Sequence, residues 1–86
     1  MARIKIYSTG TCPVCDKTKG LLQKWGIDYD EARIDLDRSL LGEFSEVTHG
    51  ARTVPQIVID GKWIGGFSDL TELHMDGALD DLLDNP

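Results

Sequence analysis

Positive charge is scarce in this sequence: nine Lys and Arg stand against fifteen Asp and Glu, for a net charge of −6. A surface of that sign repels phosphate polyanions, which argues against nucleic acid or an anionic membrane as the main partner. No apolar run is long enough to span a bilayer, and no basic-then-apolar leader opens the chain. A reducing cytoplasm is therefore the expected compartment. Repeats, linkers and low-complexity tracts are also missing. The 86 residues read as one domain over 1–86, at the small end of what folds without staples. A hydrophobic fraction of 41 % with two Trp is enough for one modest core.

Cysteine is equally scarce, but its two copies stand together in Cys12-Pro13-Val14-Cys15. An alternating apolar run, Arg3 to Tyr7, precedes them and predicts a strand. A helical pattern with Leu21, Leu22 and Trp25 follows. The pair thus falls where a strand hands over to a helix, and Cys-x-x-Cys at such a junction marks thiol–disulfide chemistry. Pro13 suits the first helical position, since it lacks an N–H and its φ is already helical. That sets Cys12 at the N-cap, where the partial positive charge of the helix end favours thiolate over thiol. Cys12 is the expected nucleophile. Cys15, one turn on and facing the core, is the expected resolving thiol, able to attack once Cys12 is held in a mixed disulfide. Lys17 and Lys19 add positive charge nearby and Asp16 opposes them.

Two plainer readings compete. A structural zinc needs four ligands, and only His49 and His74 remain, each alone in its neighbourhood; no metal site is expected. A permanent disulfide across so short a loop would constrain the unfolded chain little. In a reducing compartment the pair is more often catalytic than structural. His49 and His74 read as surface residues, because nothing brings them within reach of Cys12 as general bases.

After the first helix, Pro13 to about Trp25 with Gly26 as its stop, residues Asp28 to Leu36 read as a second strand carrying Tyr29, Ala32, Ile34 and Leu36. Asp37 or Ser39 can cap a helix running to about Thr48, with Leu40, Leu41, Phe44 and Val47 at helical spacing and Gly50 as its end. Thr53-Val54-Pro55-Gln56 then leads into a short buried strand. Asp60-Gly61 signals a two-residue hairpin turn, so Lys62-Trp63-Ile64 should return antiparallel. Trp63 reads as hairpin packing. Gly65-Gly66 breaks that strand, and Ser68 or Asp69 opens a helix with Leu70, Leu73 and Met75. Gly77 punctuates it, and Leu79, Leu82 and Leu83 form a last amphipathic turn or two before Asn85-Pro86. The acidic stretch Asp76 to Asp84 reads as a solvated face. Strand, helix, strand, helix, hairpin, helix predicts an α/β architecture: a mixed sheet with helices on both faces. Its first two strands join by a right-handed parallel crossover, and Cys12 lies at the carboxyl edge where ligands usually bind.

Three motifs, Cys12-Pro13-Val14-Cys15, Thr53-Val54-Pro55-Gln56-Ile57 and Gly65-Gly66-Phe67-Ser68-Asp69-Leu70, stand in the order and spacing of the dithiol glutaredoxins. The chain resembles that family from Ile4 to about Leu83. The resemblance implies a thioredoxin-like fold with a four-stranded mixed sheet. It also implies an enzyme that reduces protein–glutathione mixed disulfides and protein disulfides at the expense of glutathione. Glutathione is then a co-substrate, no cofactor is permanently bound, disulfide-containing or glutathionylated proteins are the partners, and a monomer is expected. By the same resemblance Pro55 is cis and sets the Val54 backbone beside Cys12 to pair with an extended substrate. Glutathione is expected to contact Thr11, Val14, Arg52, Thr53, Val54, Pro55, Gly66, Phe67, Ser68 and Asp69. Gly65-Gly66 followed by Ser68-Asp69 form a seat for its γ-glutamyl carboxylate at a helix start, with Asp69 accepting from its ammonium. Three departures stand out. Thr9 occupies the place of a lysine that serves the glycine carboxylate in many relatives, a role Arg52 is expected to take over. Val14 replaces a tyrosine, and Phe67 replaces a cysteine found in some relatives. Two alternatives follow: an electron donor recharged by thioredoxin reductase, and a glutathione-dependent dimer holding an iron–sulfur cluster through Cys12, which the stiffening Pro13 disfavours.

Overall fold

Ile4 and Ile6 point to one side of the strand β1 (Ile4–Ser8) and Tyr7 to the other, so this strand is buried on both faces. Such a strand belongs at the centre of a sheet. In the computed structural model, which describes residues 2–84, the sheet order is β2-β1-β3-β4. Strand β2 (Tyr29–Arg33) lies parallel to β1, with Ile4 opposite Tyr29 and Ser8 opposite Arg33. Strand β3 (Gln56–Ile59), wholly buried, runs antiparallel on the other side, and β4 (Lys62–Gly65) folds back on it. The hairpin turns through Asp60 and Gly61, both at positive φ, the geometry that matches the twist of the flanking strands.

Helices cover both faces. Helix α1 (Pro13–Lys24), α3 (Phe67–Met75) and α4 (Ala78–Asp84) bring Leu22, Leu70 and Leu79 onto Ile4, Ile6, Ile57 and Ile59. Helix α2 (Ser39–Val47) brings Phe44, with Leu40 and Val47, onto Tyr7, Ala32 and Val58 of the opposite face. The mixed sheet and its two-sided cover agree with the expected architecture.

Two local expectations, the end of β2 and the start of α3, are corrected, and other details are filled in. Strand β2 ends at Arg33, three residues before Leu36, because Ile34–Leu36 turn: the Leu36 N–H donates to the Arg33 carbonyl at 3.1 Å. Leu36 is left 73 % exposed. Helix α3 starts at Phe67 with Gly66 as its N-cap, ahead of Ser68 and Asp69; Asp69 contributes from the third helical position instead. Met75 is 84 % exposed and Leu41 faces outward, so neither belongs to the core. The last turns form a separate helix, α4. Met1, Asn85 and Pro86 lie outside the described residues. Among the described residues no helix is long and apolar enough to cross a membrane.

Two polar clusters lock elements together. Arg3 clamps Asp60 of the hairpin through both carboxylate oxygens, at 2.9 and 2.6 Å, and donates to the Leu82 and Leu83 carbonyls at 2.8 and 2.6 Å. Glu43 of α2 accepts from Lys5 and from the Tyr7 hydroxyl, each at 2.7 Å, which holds its carboxyl below the usual range.

Candidate active site

Cys12 is the N-cap of α1, with extended dihedrals of φ −114° and ψ 102°, and Pro13 follows as the first helical residue. Its sulfur accepts the Cys15 N–H at 3.0 Å, in the position a Ser or Asp oxygen takes at an ordinary cap. On the other side its thiol reaches the Val54 carbonyl at 3.7 Å, across the cis Val54–Pro55 bond. Cys12 is half-buried and Cys15 fully buried, and both are free thiols. Burial first, and then the neighbouring Cys12, push the Cys15 thiol up to about 12; a backbone hydrogen bond from Thr9 and the charge of Lys19 act the other way. A fully buried thiol thus sits behind a half-buried cysteine whose sulfur caps the helix.

The loop before Cys12 is held from β2. The Asp35 carboxylate accepts the Gly10 N–H at 3.0 Å while it is gripped by Arg33 at 2.8 Å through each oxygen. Arg33 in the first place keeps Asp35 well below the usual carboxylate range. A Cβ at residue 10 would meet the Arg33 guanidinium, so a side chain there would make that flexible group shift from its place beside Asp35.

A groove of about 540 Å³ starts at this sulfur's neighbours, lined by Val14, residues 53–56, Trp63 and residues 65–69. Gly65 turns into it at φ +113°. Its missing side chain leaves room for Asp69, whose Oδ2 accepts the Gly66 N–H at 2.9 Å. The start of α3 thereby opens onto the groove, a place that favours an anion. Lys17 reaches over Phe67, its ammonium 5.1 Å from the ring centre.

Of the residues expected at the site, Val14, Thr53, Val54, Pro55, Gly66, Phe67, Ser68 and Asp69 all line this groove, and Cys12 meets it through Val54. Thr11 and Arg52 are exposed and do not line it. Gln56 and Trp63 line it without having been anticipated as site residues. The Gln56 amide donates to the Thr53 carbonyl and hydroxyl at 3.1 and 3.2 Å, and its oxygen accepts from the Trp63 indole at 2.9 Å. The sequence signal was a polar residue opening an otherwise apolar buried strand. His49 approaches the Trp63 ring at 5.8 Å, whereas His74 stacks flat on Trp25 at 3.7 Å.

The glutaredoxin family model matches residues 4–64, the span that carries both cysteines and the cis proline. Glutaredoxin 3 of Escherichia coli strain K12 is 42 % identical over 83 residues, covering 96 % of this chain and 99 % of that protein. Among solved structures, the buckwheat glutaredoxin–glutathione complex superposes with a TM-score of 0.84 at 29 % identity, over 96 % of this chain and 77 % of that one. The solution structure of glutaredoxin from Brucella melitensis does so with a TM-score of 0.78 at 36 % identity, over 96 % and 89 %. A capped cysteine, a buried partner and a groove beside them are thus accompanied by kinship along nearly the whole length, and this chain belongs to the glutaredoxins, the glutathione-dependent thiol–disulfide oxidoreductases.

Proposed function

We propose that this glutaredoxin reduces protein–glutathione mixed disulfides through Cys12 alone and protein disulfides through Cys12 and Cys15 together, with glutathione as the reductant. The observation that carries this reading is the Cys12 sulfur held as the cap of α1, with the Cys15 sulfur fully buried behind it. In the first reaction the Cys12 thiolate attacks the glutathione sulfur of the substrate, and the protein leaves as a thiol. A second glutathione then reduces the glutathionylated Cys12. In the second reaction Cys12 forms a mixed disulfide with the client, and Cys15 attacks the Cys12 sulfur to close the Cys12–Cys15 bridge. The order follows from the environment of Cys15. Its thiol is disfavoured as an anion beside Cys12, and that part of the penalty ends once Cys12 is bonded to a client.

Glutathione is assigned to the groove. Its γ-glutamyl carboxylate fits the N–H groups at the start of α3, and Asp69, with Oδ2 committed to Gly66, offers Oδ1 to the ammonium. The Val54 backbone faces the Cys12 sulfur and suits an extended peptide, as in strand addition. Thr9 supplies no cation for the glycine carboxylate; Arg52, exposed just ahead of the groove segment, is a cation able to do so. The buckwheat glutaredoxin–glutathione complex supports this placement by likeness.

Cys12→Ser is expected to abolish both reactions, and Cys15→Ser to keep deglutathionylation while losing most protein-disulfide reduction. Activity surviving in Cys12→Ser would overturn the assignment. The reductant is checked by glutathione-coupled turnover of a small mixed disulfide: a rate no better than free glutathione, with faster recharging by thioredoxin reductase, would transfer the protein to that donor.

A further inference from the structure

Gln56 lines the groove, yet the cycle above gives it no task. It opens β3 with only 6 % of the residue exposed. Its amide nitrogen donates to the Thr53 carbonyl at 3.1 Å and to the Thr53 hydroxyl at 3.2 Å, and its oxygen accepts the Trp63 indole N–H at 2.9 Å. An indole N–H only donates, so it pairs with the oxygen of the amide and turns the NH2 group toward Thr53. On this side of the sheet the β3–β4 ladder stops at Ile57 opposite Gly65. Gln56 therefore meets β4 through its side chain.

What this fixes is one peptide group. The Thr53 carbonyl and the Val54 N–H belong to the same planar trans unit, in which they point in opposite directions. Holding the carbonyl therefore holds the N–H. Within the described residues the Val54 N–H has no hydrogen-bond partner, while the Val54 carbonyl receives the Cys12 thiol at 3.7 Å. An extended substrate adding beside this segment would use those two backbone groups.

We propose that Gln56 is a positioning residue for substrate binding: with its amide turned by Trp63, it holds the Thr53 carbonyl and so aims the Val54 N–H at the backbone of a glutathione disulfide. This rests on the assignment of glutathione to the groove made above. A misdirected N–H forfeits one neutral hydrogen bond to the substrate, which is about fivefold in rate.

The test uses the Cys15→Ser protein, so that reaction stops at Cys12. The Cys12 thiolate attacks one sulfur of oxidised glutathione. The Cys12–glutathione S–S bond forms as the glutathione S–S bond breaks, and the second glutathione leaves as its thiolate. The comparison substrate is cystamine, a symmetric disulfide without a peptide group. Gln56→Met keeps the length and net charge of the side chain but has no donor. It is expected to lower the ratio of the glutathione rate to the cystamine rate about fivefold. A merely structural amide would leave that ratio unchanged, and an unchanged ratio would overturn the proposal. Trp63→Phe is expected to lower the ratio as well, and the double variant to lower it no further than Gln56→Met, because Trp63 acts through Gln56. Additive losses would overturn that order of action. Should Gln56→Met fail to fold, Gln56→Leu carries the same comparison. A Cys15→Ser protein that favours oxidised glutathione over cystamine no more than free glutathione does would instead remove the assignment beneath the proposal.

Discussion

At Gly65, φ is +113° and an added Cβ would strike the Asp69 carboxylate. A side chain there opposes the backbone and also dislodges the acceptor that caps α3. Gly65→Ala is therefore expected to cost roughly 1–3 kcal/mol, the usual range for a strained dihedral. It should also raise the KM for glutathione, because the seat at the start of α3 loses its shape. Urea unfolding together with glutathione-coupled turnover checks both parts. A fully stable Gly65→Ala protein with unchanged KM would mean that Asp69 can move aside without consequence. The neighbouring Gln56 makes a similar point by a different route, since its amide joins Thr53 to the Trp63 indole and sets the aromatic side of the groove.

Helix α4 is only seven residues long, too short to persist by itself in water. Leu79 anchors it to the core, and Arg3 ties its Leu82 and Leu83 carbonyls to the hairpin carboxylate of Asp60. Arg3→Gln should therefore lower amide-exchange protection in residues 78–84 while that of β1 and β3 stays high; uniform loss across the sheet would count against a local tether. Elements of this kind also show what the sequence discloses. Strand β1, the strand-to-helix junction at Cys12, the hairpin and the apolar stripe of α2 were legible, because periodicity and turn chemistry act locally. The end of β2 was not, because it depends on Asp35 reaching back to Arg33 and Gly10, a contact across 25 residues. The start of α3 was misjudged for a similar reason: Gly66 needs no side chain to cap, since Asp69 reaches back to it. At the site the three motifs marked most of the groove. Gln56 and Trp63 were missed because their places at the groove arise only when separate strands meet.

For the molecule as a whole, the ion pairs set how stability responds to pH. Glu31, beside Lys19 and Ser8, and Glu43, beside Lys5 and Tyr7, both titrate below the ordinary carboxylate value. So do Asp60 beside Arg3 and Asp35 beside Arg33. A depressed carboxylate contributes stability above its unfolded pKa and loses it as pH falls through its folded one. Stability should thus decline below about pH 4.5, the ordinary Glu value, shallowly for each pair because these groups are solvent-accessible. At the alkaline end the signs reverse. Burial raises Cys15 from 9.0 to about 12 and lifts Tyr7 above its ordinary value. Their contribution, intact below pH 9, fades as pH climbs from 9 toward the raised values. Urea midpoints across this range test both limits, and Cys15→Ser should flatten the alkaline limb. The two tryptophans occupy contrasting places in the same frame: Trp25 lies flat against His74 on the helical side, and Trp63 stands at the groove with its indole N–H fixed. Filling the groove therefore changes the surroundings of Trp63 and leaves the stacked Trp25 as it was. The protein thereby carries a built-in optical gauge of occupancy, with a second indole as its internal reference.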